Sequence, residues 1–71
     1  MNDKFTVTYH RETELAYLVS EDGDIRNGIW LPKSLTEIVK NLDRQLAEEP
    51  ESGDTLVVEI PEWLAEEKEL I

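Results

Sequence analysis

The sequence predicts an α+β domain: a small antiparallel sheet of three or four strands packed against one main helix, with a short C-terminal helix. Three observations predict it. Phe5, Val7 and Tyr9 alternate with Thr6, Thr8 and His10, the period-2 pattern of a half-buried strand. Leu35, Ile38, Val39, Leu42 and Leu46 fall at i, i+3, i+4, i+7 and i+11, one continuous apolar stripe at helical spacing. Leu56, Val58 and Ile60 alternate with Thr55, Val57 and Glu59 just before Pro61, a second alternating strand that a proline stops.

In chain order, the first strand runs from Lys4 to Arg11. Leu15 to Ser20 is nearly all apolar, which suits a strand covered on both faces. Glu21-Asp22-Gly23-Asp24 is a turn signal, because Gly23 tolerates positive φ and Asp22 can bond nearby backbone. A third strand, Ile25 to Leu31, is expected to pair antiparallel with the second, with Asn27-Gly28 as a bulge or a tighter turn inside it. Trp30 sits within the apolar triplet Ile29 to Leu31, as a buried strand end would. Pro32 has no N–H for a sheet ladder, so the strand stops near it.

Ser34 and Glu37 then match a capping box that opens the main helix, Leu35 to about Glu49. Pro50 closes that helix and Ser52-Gly53-Asp54 forms a loop. Pro61 fits the first turn of a short terminal helix through about Leu70, docked by Trp63, Leu64 and Ile71.

The 71 residues make a single domain, 1–71. A chain this short buries only about 60% of its unfolded surface, so its stability is marginal. It contains no cysteine, which removes disulfides and thiolate metal sites as staples. No apolar run reaches the roughly 18 residues of a membrane span, and the N-terminus carries no signal-peptide h-region, so the expected location is the cytoplasm. The formal net charge is −10 and it is unevenly placed. Residues 1–46 hold eight acids against six bases, whereas residues 47–71 hold nine acids against Lys68 alone. Such a chain repels phosphate backbones, which sets direct nucleic-acid binding at a disadvantage.

No residues stand out as catalytic, cofactor-binding or metal-ligating. His10 is the only histidine, and Ser20, Ser34 and Ser52 each have a turn or cap role, so no nucleophile–base pair emerges. Glu21-Asp22-Gly23-Asp24 lacks the ligand series and terminal Glu of a calcium loop. Gly23, Gly28 and Gly53 are isolated and form no phosphate cradle. Trp30 and Trp63 have no interleaved basic residues of the kind a base-stacking face needs. What stands out is acid at helix C-termini, where the dipole favours cations. Glu48 and Glu49 would end the first helix and Glu66, Glu67 and Glu69 the second. With Glu51, Asp54 and Glu62 of the same acidic third they form the candidate partner-binding set, a surface for a basic protein, the alternative being that this charge serves solubility alone.

Two blocks carry a resemblance. Glu14 to Val19 with Ile29-Trp30-Leu31-Pro32-Lys33-Ser34, and Gly53-Asp54 through Pro61-Glu62-Trp63-Leu64-Ala65-Glu66-Glu67-Lys68, together resemble small, largely uncharacterised proteins of bacteriophages and mobile elements. Those proteins carry a W-[LI]-P-K-S strand end and a P-E-W-L-A-x-x-K tail. The match spans about half the chain. Gly is expected after Lys68, and Glu69 stands there instead.

The resemblance implies a phage-type origin, a class that includes acidic inhibitors of host defence such as anti-CRISPR proteins. The expected function is a non-enzymatic, acidic interaction protein in the host cytoplasm, binding a basic nucleic-acid-handling protein such as a defence nuclease complex. The alternative is an accessory β-rich module of phage DNA metabolism that binds single strands through a sheet face.

Overall fold

In the computed structural model, which describes residues 1–70, the chain is mostly β. Five strands form one antiparallel sheet: β1 (Asn2–Glu12), β2 (Ala16–Ser20), β3 (Ile29–Pro32), β4 (Glu37–Asn41) and β5 (Thr55–Pro61), in spatial order β3-β2-β1-β5-β4. One helix, α1 (Glu62–Glu67), follows β5 directly. Short 3₁₀ turns occupy Ile25–Asn27 and Lys33–Leu35.

The sheet has to curl. Its two edges, β3 and β4, are joined by residues 33–36 alone. Four strand-to-strand gaps of a flat sheet would separate those edges by about 19 Å. A link made of one 3₁₀ turn and one extended residue covers only about 13 Å. Two bulges help the strands bend: register shifts between Tyr9 and Arg11 in β1, and between Ile38 and Lys40 in β4. The result is nearly isometric, 28 × 25 × 22 Å.

The alternation read in the sequence sets which side faces in. Phe5, Val7 and Tyr9 of β1 and Leu56, Val58 and Ile60 of β5 lie on the concave side with Tyr17, Val19, Ile29, Leu31 and Ile38. Leu64 and Ala65 of α1 complete that core. At about 1.5–3 kcal/mol for each large apolar side chain taken from water, this one cluster is the main source of stability.

The main helix over Leu35 to Glu49 does not form. Its first half is a 3₁₀ turn and strand β4, and its second half belongs to the loop between β4 and β5. Leu42 and Leu46 of the supposed stripe are 52% and 55% exposed. The reason is tertiary. β5 is already paired on one side with β1, and its other edge needs a partner; Glu37–Asn41 supplies it. Ile38 and Val39 are β-branched and prefer that role. The Ser34–Glu37 capping box is overturned with the helix, because Ser34 lies inside the 3₁₀ turn and no side chain caps it.

Four smaller expectations are also corrected. The sheet has five strands rather than three or four, because the supposed helix yields one more. β3 starts at Ile29, since Ile25–Asn27 turns over Leu18; a Cβ on Gly28 would lie 2.9 Å from both Ile25 O and Leu18 Cδ1. Trp30 is 37% exposed on the convex side. Trp63 is 56% exposed and docks nothing, whereas Leu64 does; Ile71 lies outside the described residues. The Gly23 turn keeps its φ of +83° and its Asp22 bond, in which Asp24 N–H donates to Asp22 Oδ1 at 2.9 Å.

Candidate functional site

The eight acids singled out in the sequence separate into two groups. Asp54 is only 4% exposed and is consumed by the fold. Its carboxylate accepts from Arg44 Nε at 2.5 Å, Arg44 Nη2 at 2.9 Å, Asn41 Nδ2 at 3.0 Å and the Glu51 N–H at 2.9 Å. The Arg44 guanidinium holds the Asp54 carboxyl well below the usual carboxylate range, and Asp54 in turn raises Arg44. Glu51 and Glu48 face the same arginine at 2.9 and 3.9 Å. These contacts fasten the loop between β4 and β5, together with the Thr55 N–H donated to Asp43 Oδ2 at 2.6 Å.

The second group is unpaired. Glu49, Glu62, Glu66, Glu67 and Glu69 take part in no ion pair among the described residues. Helix α1 turns Leu64 and Ala65 into the core, so Trp63, Glu66 and Glu67, three and four residues apart, share its outer side. Glu66, Glu67 and Glu69 are exposed. Lys68 is the one base in residues 47–71.

The helix ends in a Schellman geometry. Glu69 N–H donates to Glu66 O at 3.1 Å, Leu70 N–H donates to Ala65 O at 2.8 Å, and Glu69 itself takes φ +60°. That is a left-handed position of the kind glycine favours at helix ends.

Two polar clusters went unread in the sequence because their members are far apart along the chain. At the end of β1, the Tyr9 hydroxyl donates to Glu12 Oε1 at 3.0 Å, Lys33 pairs with Glu12, and Lys33 Nζ lies 5.1 Å from the centre of the Tyr17 ring. Burial, reinforced by Glu12, pushes the Tyr9 hydroxyl up to about 12, and the Lys33 bond lowers Glu12. The cluster ties the β1–β2 hairpin to the turn after β3. The other is His10 Nε2 and Ser20 Oγ, 2.7 Å apart. Here the β1 bulge tucks the ring against a serine that is fully buried, so this hydroxyl has no route to a substrate.

The alternative reading places single-strand binding on a sheet face, and the convex side is the face turned away from the core. It carries Lys4 and Thr6 of β1, Val57 and Glu59 of β5, and Glu37 and Lys40 of β4 in matched register. Beyond the β1 bulge Arg11, Leu18 and Trp30 lie on the same side, where the 21–28 loop packs on Leu18 and reaches Thr8. Alternation with Thr6 and Thr8 was the signal that could have placed Lys4 there. Arg11 over Trp30 needed the bulge to be known.

No helix among the described residues is long and apolar enough to cross a membrane. Comparison of the chain with protein-family models, curated proteins and solved structures finds no match.

Proposed function

We propose that this chain is a non-enzymatic interaction protein that docks an acidic surface on a basic, nucleic-acid-handling protein and inhibits it. The observation that carries the reading is the unpaired state of Glu49, Glu62, Glu66, Glu67 and Glu69, against the complete engagement of Asp54. Grooves that hold nucleic acid are lined with Lys and Arg to meet phosphates, and a set of unpaired carboxylates presents the same sign of charge. Trp63 adds an exposed aromatic anchor on the same side of α1, of the type that dominates interface energetics. The motif resemblance supports a phage-encoded, anti-CRISPR-like inhibitor acting in the host cytoplasm.

The test is titration of a purified defence nuclease complex with wild type and with a variant carrying Glu49→Lys, Glu66→Lys and Glu67→Lys. Wild-type binding weakens steeply with salt, because exposed charge pairs are screened over about 8–10 Å at physiological strength. The variant loses binding and keeps its circular dichroism spectrum, since these side chains face solvent. A folded variant that binds as tightly as wild type shows that the acids serve solubility alone.

A further inference from the structure

Strand β4 bounds the sheet on one side, and its outer edge has no neighbour among the described residues. The N–H and C=O groups that point away from β5 are therefore left to water, an arrangement that invites a further strand. The other edge is less open. β3 is four residues long and ends at Pro32, which has no N–H to donate. Lys68, Glu69 and Leu70 line the cleft beside its first residue, Ile29.

Charges along β4 favour one kind of partner. Glu37 lies opposite Glu59 in the ladder, with Lys4 beyond it, so that row holds two acids for one base. Lys40 stands in the next row, opposite Val57. Both Glu37 and Lys40 are exposed, and neither takes part in an ion pair among the described residues. Side chains three apart on a regular strand point to opposite faces. Here the bulge between Ile38 and Lys40 puts Glu37 and Lys40 on the same, convex side.

A two-fold axis makes use of that offset. When two β4 strands run antiparallel about an axis near Ile38 and Val39, Glu37 of each copy faces Lys40 of the other, because a two-fold contact is reciprocal. Residues opposite each other on one face of an antiparallel pair have Cβ atoms about 4.5–5.5 Å apart, close enough to pair charges. The same operation carries exposed Leu42 of one copy toward the end where the other holds exposed Leu35. Glu37 and Lys40 cancel, so β4 brings no net charge to the contact although the chain carries −10. A charge and a bulge on an edge strand guard against indiscriminate pairing, whereas opposite charges at reciprocal positions select one register.

From this charge complementarity we propose that the outer edge of β4 binds a second copy of this chain, forming a two-fold dimer in which Glu37 and Lys40 pair at both ends of the contact. The dimer carries two α1 surfaces. Its contact does not use the acids of α1, so it stands whether or not they dock a basic partner.

The experiment is sedimentation equilibrium of the full chain from about 10 μM to about 1 mM, the range in which a weak dimer shows. The average mass climbs from 8.2 kDa toward twice that value. Lys40→Glu sets like charges against each other at two places at once, and dimerisation weakens roughly tenfold while circular dichroism is unchanged. Glu37→Lys does the same. The double swap, Glu37→Lys with Lys40→Glu, restores the wild-type mass curve. Because the chain has no cysteine, the register can also be read by oxidising a mixture of Glu37→Cys and Lys40→Cys chains, in which the mixed disulfide forms more often than chance gives. A monomer at every concentration overturns the proposal, as does an undiminished dimer of the folded Lys40→Glu chain. A folded double swap as weak as the single variants, or disulfides at chance yields, overturns it as well.

Discussion

Arg44 and Asp54 form a two-pronged pair, Nε to Oδ2 at 2.5 Å and Nη2 to Oδ1 at 2.9 Å, across the neck of the loop that joins β4 to β5. The pair holds the loop against the sheet end where Leu42 N–H still reaches Thr55 O at 2.9 Å. Because Asp54 is depressed in the folded state, its contribution is complete above the unfolded carboxylate value of about 3.9 and declines as pH falls below it. Asp54→Asn therefore lowers Tm by a constant amount from pH 5 to pH 8, and the gap to wild type narrows below pH 4. Thermal melts of both proteins across that range check it. A gap independent of pH down to pH 2 shows that the carboxylate charge is not what Arg44 holds.

Leu42 and Leu56 test the fold itself. Leu56 is 1% exposed in the core, so Leu56→Ala costs about 2–5 kcal/mol. Leu42 faces solvent from the β4 end, and Leu42→Ala stays within about 0.5 kcal/mol of wild type. Urea melts of the two variants decide between this sheet and a helical 35–49 segment. The helix makes Leu42 a mid-stripe core residue, with a loss as large as that at Leu56.

Glu69 occupies a left-handed backbone position at φ +60°, which costs a residue with a Cβ about 1–2 kcal/mol. Glycine escapes that strain but loses more conformational freedom on folding. Glu69→Gly accordingly stabilises the protein by about 0.5–1 kcal/mol, net of the two effects. Equilibrium denaturation reads the change, and a loss of stability shows that the Glu69 side chain itself supports the helix end.

Local information carried the strands well. From Phe5 to Tyr9 in β1 and from Leu56 to Ile60 in β5 every second residue is apolar, and that period assigned Phe5, Val7, Tyr9, Leu56, Val58 and Ile60 to one face, because strand side chains alternate whatever the partner. Pro32 and Pro61 end strands by lacking an N–H, and Gly23 turns the chain because it tolerates φ +83°. The same one-dimensional logic misread Leu35 to Leu46, whose spacing suits a helix while its residues are used as turn, strand and loop.

What the sequence by itself determined, then, is the pair of strands with strict alternation, their turns and the acid-rich composition of residues 47–71. Tertiary structure decided the rest, for physical reasons that act only between distant segments. The unpaired edge of β5 recruited Glu37–Asn41 into the sheet. Burial beside Arg44 removed Asp54 from the docking set and left Glu49, Glu62, Glu66, Glu67 and Glu69 unpaired. Curling of the sheet put its hydrophobic side inward with α1. That same curl left Lys4, Arg11 and Lys40 on the outer side, a placement no spacing along the chain announces.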